Sequence, residues 1–119
     1  MQSITWFTPI LPGKRDEWKE MEEEIKGPRR EELVRSYKRA GMAREVASLL
    51  QTPQGDFVCL FQEAEDLAKA FRTMATSDDP FDVWFREHLA SVHGLTAEML
   101  QAPPPAEVFF EYTDAGGVA

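Results

Sequence analysis

Two histidines occur in the chain, His88 and His93, and only His88 stands where a ring could do chemistry. At about 100° per residue, Phe81, Trp84, Phe85, His88, Leu89 and Val92 share one face of a helix. An imidazole in such a stripe can take up or give up a proton near neutral pH. Two readings follow: a catalytic ring projecting into a pocket, or a buried ring hydrogen-bonded to its own scaffold. His93 lies roughly 140° further round, so the pair cannot share a metal ion, which wants histidines at i and i+3 or i+4. No metal site is expected, and His93 is assigned to the helix C-terminus, where positive charge is favoured. Arg29 and Arg30 follow Pro28 in the first turn of another helix. They offer a possible anion site, or simple pairing with Glu31, Glu32 and other acidic neighbours. Trp6, Tyr37, Trp84 and Phe85 supply aromatic walls with polar edges for a substrate pocket, and a planar organic ligand is the expected occupant. Glu22 and Glu111 stand near these groups or in solvent.

The elements that must carry these residues can be read in order. Ser3–Thr8 is predicted to be a strand, halted by Pro9 and Pro12-Gly13. Lys14–Lys26 repeats at helical spacing through Trp18, Met21 and Ile25. Gly27-Pro28 interrupts it. Arg29–Ala40 resumes with Leu33, Tyr37 and Ala40, and Gly41 ends it. Glu45–Gln51 and Asp56–Gln62 form a hairpin through Thr52-Pro53-Gln54-Gly55. Ala64–Thr76 is helical, with Leu67, Ala70, Phe71 and Met74 inward. Asp79 caps a further helix, with Pro80 at its first position and Gly94 beyond its end. Thr96–Gln101 is a helical turn, Ala102-Pro103-Pro104-Pro105 a stiff spacer, and Glu107–Tyr112 a last strand. Residues 1–112 make one domain and 113–119 a mobile tail.

The strands are apolar on both sides. Phe57, Cys59 and Phe61 oppose Val58 and Leu60, and Ile4 and Trp6 oppose Phe7, because strand side chains alternate. The helices can cover only one face. The other calls for a second copy, so a homodimer packed sheet to sheet is expected. Twenty-one acidic against thirteen basic residues give a net charge of −8, which disfavours nucleic acid and anionic membranes as partners. The single cysteine, Cys59, excludes an intrachain disulfide and reads as a small hydrophobe. Neither a secretory signal nor a membrane span is visible, and a cytoplasmic protein is expected.

The order β-α-β-β-α-β, with elaborated helices and a four-stranded antiparallel sheet, is ferredoxin-like α+β. The chain resembles small bacterial proteins of the dimeric α+β barrel superfamily, most without an assigned function. The resemblance rests on Trp6-Phe7-x-Pro9-x-Leu11-Pro12-Gly13-Lys14, Gly27-Pro28-Arg29-Arg30, Gln51-Thr52-Pro53-Gln54-Gly55-Asp56 and Ser77-Asp78-Asp79-Pro80-Phe81-Asp82-x-Trp84-Phe85. It implies relatives among cofactor-free antibiotic-biosynthesis monooxygenases, heme-degrading monooxygenases and isomerases. The first of these commonly use tryptophan, arginine and asparagine, and this chain has no asparagine. Stabilisation of an oxyanion would then fall to Trp6, Trp84, Gln51, Arg44 or His88. No cofactor is expected, with heme on His88, flanked by Phe85, Leu89 and Val92, as the alternative. A non-catalytic dimeric module with a packed interior is the rival to a small-molecule-binding protein.

Overall fold

In the computed structural model, which describes residues 1–119, three long strands form one antiparallel sheet and four helices cover one of its faces. The strands are β1 (Gln2–Pro9), β2 (Met42–Thr52) and β3 (Gly55–Ala64), in the order β1-β3-β2. The helices are α1 (Arg15–Lys26), α2 (Arg30–Ala40), α3 (Leu67–Thr76) and α4 (Pro80–His93). A 3₁₀ turn (Met99–Gln101) follows, and a two-residue pair, β4 (Tyr112–Thr113) and β5 (Gly117–Val118), closes the chain.

Local chemistry sets most boundaries. Thr52 pairs with Gly55 across a two-residue turn whose positive φ of 132° falls on the glycine. Thr52 Oγ1 braces this turn, accepting from Gln54 N–H and donating to the Gly55 carbonyl. The Asp79 carboxylate accepts from Phe81 N–H at 3.0 Å and Pro80 opens α4. Gly94, at φ 72°, ends α4 and lies against Leu11. Between α1 and α2, the Arg30 guanidinium donates twice to the Lys26 carbonyl, at 2.9 and 2.6 Å, closing the C-terminus of α1.

The two faces of the sheet separate as the alternation predicts. Ile4, Thr8, Val58, Gln62 and Ala64 are buried under the helices. Phe7, Val46, Leu50, Phe57, Cys59 and Phe61 point the other way, and Phe7 is 66 % exposed. The helical side buries its apolar residues around several centres. They fall into three groups, one around Phe71 and Met42, one around Trp18 and Val58, one around Phe81 and Phe85, with Trp84 packing against the second and third.

One expectation about the sheet is corrected. It has three strands, and Glu107–Tyr112 adds no fourth. Pro103, Pro104, Pro105 and Ala106 share a shallow groove with Thr5–Thr8 of β1. Prolines have no N–H to give, so this stretch cannot extend the ladder. The chain beyond then stands clear, with Phe109 88 % and Phe110 73 % exposed. Residues 113–119 fold back as the β4–β5 pair, tied by Ala119 N–H to the Glu111 carbonyl.

Candidate functional site

Where the three apolar groups would meet, a cavity of about 80 Å³ remains between the sheet and the helices. Its walls draw on all three: Trp6, Tyr37 and Phe71; Trp18, Met21 and Leu60; Ile25, Phe85 and Leu89. Ala47 of β2 both lines it and is solvent-exposed, which marks a mouth.

Inside this apolar shell runs a chain of hydrogen bonds. Trp6 Nε1–H donates to Gln62 Oε1 at 2.8 Å, Gln62 Nε2–H donates to Glu45 Oε2 at 2.7 Å, and the Tyr37 hydroxyl donates to Glu45 Oε1 at 2.6 Å. An indole can only donate and a carboxylate only accept, so the Gln62 amide has a single orientation. The strand register supports this directly, because Glu45 and Gln62 are cross-strand partners. Tyr37 comes from the last turn of α2. Burial, and then the negative charge of Glu45, holds its phenol well above the usual value, so it remains a donor.

Glu22, from the Trp18–Ile25 side of α1, completes the set. Burial, reinforced by the Glu45 charge, pushes its carboxyl up to about 7. That value suits a group exchanging a proton at neutral pH. His93 lines the far end. Its Nδ1 lies 2.8 Å from the Pro9 carbonyl and therefore carries the proton, and burial holds the ring below its usual value. Asp82 joins α2 to α4 from the rim, accepting from the Ser36 hydroxyl and, at 3.0 Å, from Arg39. Burial opposes its ionisation, but bonds from Ser36, Ser77 and Arg39 outweigh that and hold its carboxyl below the usual range.

The residues singled out from sequence divide. Trp6, Tyr37 and Phe85 line the cavity. Trp84 lies outside it, with its ring covered by the Arg29 guanidinium at 4.2 Å. His88 does not line the cavity either: its ring lies tilted against Trp84, centroids 4.6 Å apart, and its Nδ1 donates to the Trp84 carbonyl at 3.0 Å. Arg29 and Arg30 do not converge on an anion. Arg29 makes two 3.0 Å bonds to Glu32, and Arg30 serves the Lys26 carbonyl. Cys59 is half-buried on the outer face rather than in the core.

The physical reason for the displaced histidine is a rotation of α4. Its buried line is Phe81, Asp82, Phe85, Val92 and His93. The aromatic arc is wide enough to fit two stripes, and only the second carries His93 inward. A heme finds no fit here, since its ligand His88 is outside and the cavity is far smaller than a porphyrin. No three His, Cys, Asp or Glu side chains converge to hold a metal ion, and no helix is long and apolar enough to cross a membrane.

His88→Phe should accordingly leave folding, assembly and ligand binding as they are, with stability changed by less than about 1 kcal/mol. Loss of binding in that variant would return His88 to the site.

No curated protein and no solved structure matches the chain. A family model matches residues 1–107. The chain therefore belongs to DUF6176, a family of unknown function.

Proposed function

We propose that this is a small-molecule-binding protein whose cavity holds a planar organic ligand, with Glu22 as the group that moves a proton. The observation that carries this is an aromatic-walled space between sheet and helices, lined by Glu22 and Glu45 with Asp82 at its rim. A packed module would leave no such space. Of the chemistries the resemblance implies, proton transfer of the isomerase kind has the better support. Glu22 can take a proton from a carbon of the ligand and return it to another, while Tyr37 and Gln62 hold Glu45 in place. For oxygenation the groups named from sequence are scattered: Trp84 and His88 lie outside the cavity, and Trp6 N–H is engaged by Gln62.

The test is a thermal-shift screen of small aromatic metabolites against the protein and against Ala47→Trp, which fills the mouth. Compounds that raise the melting temperature of the former should fail with the latter. Equal shifts in both, or none at all in the library, would refute the reading.

We infer in addition a homodimer through the outer sheet face, completing a ferredoxin-like, barrel-forming arrangement, in a cytoplasmic protein. Phe7, Val46 and Leu50 are exposed on that face, and Phe7 meets Phe57 edge-on at 5.5 Å. A contiguous apolar sheet face is the usual mark of an interface. Light scattering should give twice 13.6 kDa. Phe7→Glu should yield a folded monomer, since it removes about 2–3 kcal/mol of apolar burial per site and buries a charge. A monomeric parent protein would refute the inference.

A further inference from the structure

The polar groups facing the cavity are unequal in kind. Glu22 and Glu45 bring carboxyls, and neither forms an ion pair with any lysine or arginine. His93, with Nδ1–H given to Pro9, presents Nε2 as a bare acceptor in the neutral ring. Most donors on the same walls are already engaged, the Trp18 N–H and the Thr8 hydroxyl excepted. Trp6 N–H serves Gln62, the Gln62 amide and the Tyr37 hydroxyl serve Glu45, and the Ser36 hydroxyl serves Asp82. The one cation on the lining, Arg86, donates to the Met74 carbonyl at 2.7 Å and the Ser77 carbonyl at 2.6 Å. The space thus holds two unpaired carboxyls and an imidazole acceptor, and offers no counter-cation for Glu45. An oxyanion placed there would meet the carboxyls, with no free cation to hold it.

We infer that the ligand is a small planar nitrogen base bound in its protonated form. Its N–H groups meet Glu45 and Glu22, and its apolar body lies among Trp6, Trp18, Phe71 and Phe85. The inference rests on the cavity being a binding site and adds the charge of what binds. It is favoured twice: charge-assisted hydrogen bonds to a carboxylate are the strong ones, and aromatic faces attract a cation. Size follows from the volume. A water position takes about 10–15 Å³ on this measure, so the enclosed part holds roughly five to eight non-hydrogen atoms. The inference also removes a difficulty in proton transfer. When Glu22 takes a proton from the carbon beside a C=N⁺ group, the C–H pair becomes a C=C bond and the C=N pair settles on nitrogen. The product is a neutral enamine and needs no oxyanion donor.

Three probes of similar size and different charge separate the outcomes: benzylammonium, benzyl alcohol and benzoate, titrated by ligand-observed NMR and calorimetry. Benzylammonium should bind at least tenfold more tightly than benzyl alcohol, and benzoate should not bind. Glu45→Gln and Glu22→Gln, each keeping size, should lose that tenfold advantage while binding of benzyl alcohol persists. If Glu45→Gln does not fold, Glu22→Gln carries the same comparison. Benzyl alcohol or benzoate binding as tightly as the amine would overturn the charge assignment and leave the cavity as a binding site. Failure of all three to bind would overturn both. A variant that loses amine and alcohol equally would also count against the charge assignment, since the cavity's shape rather than its charge would be at work.

Discussion

Glu22→Gln is expected to stabilise the protein by about 2 kcal/mol at pH 8 and to leave it unchanged at pH 4. The carboxyl titrates near 7 when folded and near 4.5 when unfolded. Below pH 4.5 both states hold the proton, and Glu22 has no effect. Between 4.5 and 7 the unfolded chain releases its proton while the folded one keeps it, so stability falls as pH rises. Above 7 the folded protein bears the whole cost of a half-buried charge beside Glu45. The shift alone corresponds to about 3 kcal/mol, reduced to about 2 by the solvent that reaches a partly exposed group. Glutamine abolishes the titration and keeps the shape. Urea unfolding at pH 4, 6 and 8 measures the difference, and a gap that is constant across the three would show that Glu22 is not perturbed.

Phe81→Ala should have the larger effect, a loss of about 4 kcal/mol at any pH. Phe81 is 2 % exposed and sits in the first turn of α4, between Trp84 at 5.6 Å and Phe85 at 5.9 Å, under the Arg29 guanidinium. Truncation would leave a void beneath a charged group and loosen the start of the helix that carries Asp82, Phe85 and His93. Thermal unfolding of the variant is the measurement. A change under 1 kcal/mol would mean that the neighbouring rings collapse into the space.

These residues also show what could be read without coordinates. The Trp18–Ile25 stripe, the Asp79-Pro80 start of α4 and the alternation of β3 were all legible, because each depends on neighbours a few positions away. Glu45 and Gln62 were not. Their polarity made them natural strand ends, whereas β2 starts at Met42 and β3 runs on to Ala64, which places both inside the sheet. The only sequence signal was a polar residue within an alternating apolar run, Val58-Leu60-Gln62-Ala64. The choice between His88 and His93 was out of reach for another reason: the rotation of α4 about its axis decides which of them turns inward, and packing against α1, α2 and the end of β1 sets that rotation. The fourth strand failed on pairing. Val108, Phe110 and Tyr112 favour extended backbone, but no propensity says whether an edge is available.

All buried side chains lie between Ile4 and His93, and the family match stops at residue 107. From Ala106 onward, then, no side chain is buried in the body. Yet what stands in that stretch is Val-Phe-Phe-Glu-Tyr, a run that in water invites aggregation and turnover. The cavity is lined by residues no later than Leu100, so this arm can change without altering it.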